Sequence, residues 1–462
     1  MVEPKQPQHK ELLTEMAEAP AEALDKSIEL GNAVGEAIYN AAPVKRSRDF
    51  WHMLGPGLTT GASDDDPAGI ATYSQAGAQF GYGLLWLAAF TFPLSAVVQE
   101  MCARIGIVTG RGLAGNIRLH FPKQVIRIAT LLLFAANAFN IGADLGAMAK
   151  GAQLLKPHWN FPALIFGFAI FSLGLQIFTP YEKYAKYLKW LAMVLLAYIA
   201  SAILAHLNWN DVLHHAIIPH VRLGKDQLLL ICAVLGTTIS PYLFFWQTSQ
   251  EVEEKILQGE STMVARHASD HRPELKHMRV DVWSGIFLSN LVMFFIIAAC
   301  GGILFPHGIT NITTASQAAE ALRPFAGNAT YWLFAAGIIG TGLLAIPVLA
   351  GSSSYAFAES FKLREGLYRH LRQAHAFYGV IIISLLVGLG LNFVGLDPIK
   401  ALILSAVFNG LVAPVILVLI VILSSSKKVM GDWVNKPYVT ALGWIVTILM
   451  IVAGVGAILA LF

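Results

Sequence analysis

The stretch Gly61–Tyr73 reads GASDDDPAGIATY, and the interpretation of the whole chain starts from it. Its three consecutive aspartates, Asp64, Asp65 and Asp66, lie inside an otherwise apolar run that covers residues 53–89. A charged side chain at the centre of a bilayer costs roughly 2.5–3.5 kcal/mol on insertion scales, and such residues usually mark functional sites. This stretch is therefore a candidate site.

The residues after the aspartates predict that a helix is interrupted here. Pro67 lacks a backbone N–H and clashes with the preceding turn, and Gly69 adds backbone freedom. An unwound segment frees carbonyl oxygens, here those of Ala62 and Ser63, beside a carboxylate. Oxygen ligands of this kind suit a hard cation.

Composition places the chain among polytopic helical membrane proteins. Of its 462 residues, 56% are hydrophobic and only 13% are charged, whereas soluble domains contain about 25% charged residues. The three cysteines are far apart in apolar segments, which excludes a disulfide framework and a zinc motif. Residues 1–43 are polar and lack the apolar core of a cleavable signal peptide.

Hydropathy predicts eleven membrane spans, two of which are broken. They cover residues 53–80 (broken at 63–69), 83–106, 125–152, 161–179, 184–206, 227–252 (broken near 236–241), 279–304, 328–361, 377–394, 399–424 and 437–461.

The distribution of basic residues predicts the orientation of these spans. Of the 32 Lys and Arg residues, 26 fall on the side of the N-terminus and six on the other side. Because cytosolic loops carry the excess of Lys and Arg, the N-terminus is predicted to be cytosolic and the C-terminus extracytosolic. The expected location is the plasma (inner) membrane.

The second broken span suggests an internal symmetry. It is interrupted by LGTTISPY at Leu235–Tyr242, which contains Gly236 and Pro241. It comes five spans after the first broken span, so the two halves would have opposite topology. Paired broken helices in inverted halves point to a transporter whose site lies at the midplane. Two proline kinks without a function are the alternative.

Several motifs resemble the Nramp family of divalent-metal transporters. Residues 53–69 read MLGPGLTTGASDDDPAG, followed by GYGLLW and RIGIVTGRGLA in the next span and loop, FNIGADLGA in the third span and TTISPYLFFW in the sixth. The resemblance extends over about residues 50–424. It implies an all-α integral membrane protein with a leucine-transporter-like fold and two inverted five-helix repeats.

The resemblance also implies a division of the chain. It consists of a cytosolic tail at 1–50, the repeats at 51–208 and 209–424, and an additional transmembrane helix at 425–462.

Departures from the family pattern affect the ion site itself. The family's D-P-G-N reads Asp66-Pro67-Ala68-Gly69 here, so the asparagine ligand is absent. Its M-P-H reads Ser240-Pro241-Tyr242, which replaces a soft thioether by a hydroxyl. A glutamine of the tenth span falls at Ala406.

Other departures affect the proton route. The acid after Asp144 in the family's D-L-x-E is Ala147 here, and the two histidines of the sixth span are Tyr242 and Gln247. Proton relays in membranes are chains of Asp, Glu and His. The changes therefore predict transport without proton coupling.

A roomy site lined by oxygen suits Mg²⁺, which dehydrates reluctantly and keeps several waters. The pattern is similar to the Nramp-related magnesium transporters, and this resemblance implies Mg²⁺ as the transported ion, with Mn²⁺ as a second one. The expected partners are divalent cations and the lipid bilayer, with no cofactor and no nucleic acid. The sequence does not fix the oligomeric state and is compatible with a monomer.

The predicted metal site has two groups of residues. Those expected at the ion are Asp66, Asp65, Gly69, Thr237, Ser240, Ala62 and Asn409. Those expected around it or along the pathway are Asp64, Asp144, Tyr242 and Ala406.

Each predicted role has a structural alternative. Asp66 would suit the N-cap of the following half-helix. Ser240 and Asn409 would suit packing between helices, and Asp144 a buried structural pair.

Two rival functions remain to be compared with uncoupled Mg²⁺ transport. A proton-coupled Mn²⁺/Fe²⁺ symporter of the Nramp type would use Asp66 or Asp144 for protons. An intramembrane enzyme is disfavoured, because the sequence has no HExxH and its three aspartates are consecutive. The cluster Asp211, His214, His215 and His220 is interpreted as ordinary loop residues rather than a metal site.

Overall fold

The structure is a computed structural model. It describes residues 54–179, 181–204, 207–219, 224–260, 271–312, 315–394 and 398–461. The predicted N-terminal tail at 1–50 lies outside these residues.

Every regular element in these ranges is helical. The α-helices are α1 Pro56–Asp64, α2 Pro67–Phe80, α3 Trp86–Thr109, α4 Leu113–His120, α5 Lys123–Leu155, α6 Phe161–Phe178, α7 Tyr181–Leu191, α8 Leu196–Leu204, α9 Trp209–Ile217, α10 Lys225–Thr238, α11 Pro241–Leu257, α12 His271–Ile303, α13 Ala315–Phe361, α14 His375–Leu391, α15 Pro398–Ser424, α16 Lys427–Met430 and α17 Pro437–Leu461. Short 3₁₀ helices occur at Ala192–Leu195, Phe305–His307, Leu371–Gln373 and Gly431–Trp433.

The eleven predicted spans all correspond to helices. Within the described ranges, nine helices or joined helix pairs have the length and hydropathy to cross a membrane. The broken pair α1/α2 and the 17-residue helix α14 account for the other two. The expected all-α, leucine-transporter-like fold class is confirmed.

Besides the four-residue helix α16, two longer helices have no counterpart among the predicted spans. The eight-residue helix α4 follows α3, and its Gly115 amide donates to Glu359 Oε2 at 2.6 Å. Helix α9 buries only Val212 and Ala216 and exposes most of its other side chains. Neither forms a continuous apolar run of membrane length, so a search for spans does not detect them.

Helices α1 and α2 lie at the centre of the bundle. Helix α12 packs along both of them and also against α3. Small residues allow this approach: a Cβ on Gly61 would lie 2.3 Å from the Gly285 carbonyl carbon, and one on Gly77 would lie 2.5 Å from the Ile297 oxygen. The acidic stretch is therefore held between helices from distant parts of the chain.

Candidate functional site

The break between α1 and α2 lies at the predicted aspartates. Helix α1 ends at Asp64, Asp65 follows it, and Asp66 is the N-cap of α2. The Gly69 amide donates to Asp66 Oδ1 at 2.6 Å, and Pro67 occupies the first turn, where a missing N–H costs nothing. The N-cap alternative for Asp66 is thus what this conformation displays.

The second broken span ends in the same region. Helix α10 ends at Thr238 and α11 begins at Pro241, with Ser240 as the N-cap residue. Tyr242 Oη donates to the carbonyl oxygen of Ser63 at 2.8 Å, which connects the start of α11 to the end of α1. The two breaks therefore meet.

Four aspartates form a buried cluster at this meeting point. Asp64, Asp65, Asp66 and Asp144 are each at most 2% exposed. Five of their eight oxygens make no hydrogen bond of ordinary geometry: Asp64 Oδ1 and both oxygens of Asp65 and of Asp144. The oxygens of Asp66 are occupied, and Asp64 Oδ2 accepts from Ser289 Oγ at 2.9 Å.

The charges of this cluster repel one another. Asp66 interacts unfavourably with Asp64, Asp65 and Asp144. Buried carboxylates without a counter-charge are expensive, and an opposite charge within a few ångströms stabilises their ionised form. A cation among them would relieve both the repulsion and the lost hydration.

Helix α5 joins the cluster to α15. Asn140 Nδ2 donates to Asp66 Oδ2 at 2.7 Å, and Ser405 Oγ donates to Asn140 Oδ1 at 2.5 Å. Asp144 lies one turn further along α5 and faces the same cluster. Asn140 thus fixes the orientation of Asp66 without facing solvent.

The hydroxyls of Thr237 and Ser240, the predicted residues at the second break, are directed to backbone carbonyl oxygens. Ser240 Oγ lies 2.6 Å from the carbonyl oxygens of both Gly236 and Thr237. Thr237 Oγ1 donates to Val234 O at 2.9 Å and lies 3.2 Å from Tyr73 Oη. Direct ligation by these hydroxyls remains a prediction.

The remaining predicted residues are buried around the two breaks. Ala62 and Ala406 are fully buried, and the Oδ1 atom of buried Asn409 has no hydrogen-bond partner. A Cβ on Gly236 would lie 2.1 Å from the Ala406 oxygen, so α10 and α15 touch backbone to backbone here. Gly69 has room for no large side chain, since Asp64 O would lie 3.1 Å from its Cβ.

Three polar residues at the cluster were missed by the sequence reasoning. These are Asn140, Ser289 and Ser405. Asn140 precedes Asp144 by four residues and thus lies on the same helix face, a spacing that was available as a signal. No local pattern distinguishes Ser289 or Ser405 from the many serines that pack between membrane helices.

The described ranges contain no preformed set of side-chain metal ligands. No three His, Cys, Asp or Glu side chains in those ranges converge closely enough to hold an ion. At the loop cluster, His215 Nδ1 contacts the backbone oxygen of Asp211 at 2.8 Å and His214 packs against His215. His220 lies outside the described residues.

A second group of acids lies at the predicted cytosolic side. A cavity of about 310 Å³ is lined by Glu253, Glu359 and Glu365 together with several arginines. Glu253 accepts from the amides of Leu367 and Tyr368 at 2.7 and 3.1 Å. Burial and the neighbouring acids raise the pKa of Glu365 well above its usual value. The contacts of Glu253 thus attach the backbone of the segment between α13 and α14 to helix α11.

The fold and the paired breaks define a membrane transporter of leucine-transporter-like fold. A manganese transporter from Eremococcus coleocola, solved with an aromatic bis-isothiourea compound, superposes with a TM-score of 0.67 at 21% identity, over 88% of this chain and 86% of that one. Mhp1, a nucleobase-cation-symport-1 family transporter, superposes with a TM-score of 0.55 at 15% identity, over 88% and 91%.

The sequence identifies the family. The model of the family described as natural resistance-associated macrophage protein-like (Nramp) matches residues 57–460, and the chain belongs to this family of transporters, which are not enzymes. The divalent metal cation transporter MntH of Klebsiella pneumoniae subsp. pneumoniae is 28% identical over 410 residues, or 86% of this chain and 92% of that protein. MntH of another Klebsiella pneumoniae strain is 27% identical over the same shares.

Proposed function

We propose that the protein carries divalent metal cations across the membrane by alternating access around the four-aspartate cluster. The observation that carries the proposal is the set of five uncommitted carboxylate oxygens, buried where the two broken helices meet. Related chains are named divalent metal cation transporters. Broken helices at the membrane midplane are where secondary transporters bind their ions.

Mg²⁺ is the preferred ion in this proposal, and Mn²⁺ is a second one. The uncommitted groups at the breaks are oxygens, and no thioether stands at Ser240. Mg²⁺ accepts one or two carboxylates and keeps several waters, whereas a thioether would favour a softer metal. Gly69 and Ala406 supply no side-chain ligand where the family pattern has an asparagine and a glutamine, so water would complete the coordination of the ion.

The membrane potential suffices as a driving force. Two charges that enter an inside-negative compartment gain roughly 4.6 kcal/mol per 100 mV. Coupling to protons is therefore unnecessary, and Ala147 and Gln247 stand where the family pattern has an acid and a histidine. The competing function, a proton-coupled Mn²⁺/Fe²⁺ symporter, is favoured by the buried carboxylate of Asp144 beside Asp66.

The proposal includes an orientation and a division of the chain. The protein is a multi-pass protein of the plasma membrane with a cytosolic N-terminus and an extracytosolic C-terminus. Its repeats cover residues 51–208 and 209–424, with a tail before them and one helix after them. The predicted excess of Lys and Arg on one side supports this orientation.

Uptake into proteoliposomes tests the function. The vesicles contain a Mg²⁺-sensitive dye and a pH dye, and a negative internal potential is imposed. We expect Mg²⁺ entry without acidification, and its loss in Asp66→Ala. The control variant Asp226→Asn removes the charge of an exposed aspartate and should transport normally. Mn²⁺ entry with acidification, and no Mg²⁺ entry, would establish the symporter instead.

A further inference from the structure

Helix α1 does not cap its own N-terminus. Its N-cap residue is Gly55, which has no side chain, and its first helical residue is Pro56, which has no N–H. The amides at this end that have no acceptor within the helix are therefore those of Gly55, Gly57 and Leu58. Unsatisfied donors at a helix start are costly when they are buried.

One carboxylate from another helix satisfies all three donors. Asp281, near the start of α12, accepts from Gly55 N at 2.8 Å, Gly57 N at 2.6 Å and Leu58 N at 3.0 Å. It is only 3% exposed, and it also places a negative charge at the positive end of the helix. Lys189 supplies a cation that interacts with Asp281 from α7.

The rest of this contact consists of small residues. A Cβ on Gly57 would lie 2.5 Å from Val282 N, and one on Gly285 would lie 2.2 Å from Gly57 O. Small residues let the two backbones approach closely, and van der Waals attraction then stabilises the contact along its length. In this helix-to-helix contact, Asp281 at one end and the Ser289–Asp64 bond at the other supply the strong polar ties.

We propose that Asp281 is a positioning residue that holds α1 against α12 and thereby determines how readily the ion site opens to the predicted cytosolic side. Helix α1 ends in the aspartate cluster. Movement of its N-terminal end away from α12 would therefore expose that cluster to the predicted cytosolic side. The proposal rests on the assignment as a transporter and does not depend on which ion is carried.

The accessibility of a cysteine on α1 tests this role. Thr60 is 1% exposed and is replaced by Cys in a chain whose three buried native cysteines are changed to Ala. In purified protein we expect N-ethylmaleimide to label this position at least about tenfold faster when Asp281→Ala is added, because hydrogen bonds to a charged group are among the strongest in proteins. Equal labelling rates would overturn the proposal.

A matched control removes another buried acid that holds a helix start. Glu359 accepts from the Gly115 amide of α4, and its described hydrogen bonds to other helices go to α4 and not to α1. Glu359→Ala should leave labelling at position 60 unchanged. If it accelerates labelling as much as Asp281→Ala, the effect is general loosening and the proposal fails.

A second variant distinguishes two roles of Asp281: attachment of α1 to α12, and simple capping of the N-terminus of α1. A Cβ on Gly55 would lie 3.6 Å from Asp281 Oδ2, which is ordinary contact, so Gly55→Ser has space for its side chain and offers α1 a hydroxyl acceptor of its own at the N-cap. If Asp281 only completes the helix, Gly55→Ser should restore slow labelling in the Asp281→Ala chain. We expect labelling to stay fast, because the new cap makes no bond to α12.

Asp281→Asn keeps the proposal testable if the alanine variant fails to fold. Asparagine retains the shape and one acceptor oxygen but loses the charge, so labelling should be intermediate in protein that elutes as a single symmetric peak. Labelling equal to that of the parent would overturn the proposal. If the unmodified protein takes up no Mg²⁺ but the labelling differences are observed, the proposed ion is refuted and the role of Asp281 is supported.

Discussion

Asn140 connects the proposed ion site to the surrounding bundle. Its amide nitrogen holds Asp66, and its oxygen accepts from Ser405 on α15. One residue thus fixes the rotamer of the aspartate that the sequence places first among the ligands. Mutation of a group that orients a metal-binding carboxylate typically costs roughly 10–100-fold in metal affinity or activity.

We expect Asn140→Ala to raise the Mg²⁺ concentration at half-maximal uptake by roughly 10–100-fold, because Asp66 loses its orienting partner. The maximal rate should change much less. The measurement is the concentration dependence of uptake in proteoliposomes at fixed potential.

Asn137 provides the matched control. It lies on the same helix and donates to Leu349 O, Ser352 and Ser353 of α13, with no contact to the aspartates. Asn137→Ala should lower the thermal stability and leave the half-maximal concentration unchanged. Equal affinity losses in both variants would mean that Asn140 acts only through packing.

The aspartates were predictable because acids are rare at membrane depth, whereas their partners were not. Asp64, Asp65 and Asp66 stand out within a long apolar run. Ser289 and Ser405 reach the cluster from helices more than two hundred residues away. Their roles depend on tertiary packing, which local sequence does not encode.

Asp281 is an instructive omission at this scale. It lies in the predicted span 279–304 and is buried, yet the sequence alone assigns it no role. The signal was present: Gly55 and Pro56 leave a helix start without a cap. Only the structure shows that the cap comes from α12.

At the scale of elements, the two interruptions were predicted from proline and glycine alone. The first was expected at 63–69 and lies at Asp65–Asp66, and the second was expected near 236–241 and lies at Ile239–Ser240. Proline strongly favours the first turn of a helix, so each half-helix begins at the proline itself. The starts of α12 and α13 were placed eight and thirteen residues too late, because both helices continue beyond their apolar parts.

The contact between α10 and α15 depends on two glycines, Gly236 and Gly410, and Gly236 is the more tightly enclosed of the two. A Cβ on Gly236 would lie 2.1 Å from the Ala406 oxygen and 2.6 Å from Gly410 N, and both of these atoms belong to backbone. Gly236→Ala should therefore destabilise the protein by about 1–3 kcal/mol through overpacking. The thermal unfolding midpoint in detergent measures this effect.

Gly174 is the control for that substitution. It lies within α6, and a Cβ there would meet no atom within 4 Å. Gly174→Ala should leave the midpoint unchanged or raise it, since alanine favours helix by up to ~1 kcal/mol over glycine. A midpoint that falls equally in both variants would show that glycine content, and not the approach of α10 to α15, determines stability.

At the scale of the whole molecule, the number of spans and the basic residues give one orientation. Eleven spans are an odd number, so the two ends of the bundle are predicted to lie on opposite sides. The imbalance of 26 to six Lys and Arg residues predicts that the N-terminal side is cytosolic. Hydropathy could predict the spans themselves because each span must satisfy its backbone internally and so has a minimum length.

The last helix makes this orientation testable. Fused after Phe462, alkaline phosphatase should be active and green fluorescent protein dark, because the chain has crossed the membrane an eleventh time through α17. Fused after Ser426, before α17, the same reporters should give the opposite pattern, since Lys427, Lys428 and Lys436 lie on the cytosolic side. A fluorescent fusion at Phe462 would contradict the orientation. Reversal of both fusions together would preserve the span count and place the predicted cytosolic side, with Asp281 and the start of α1, outside the cell.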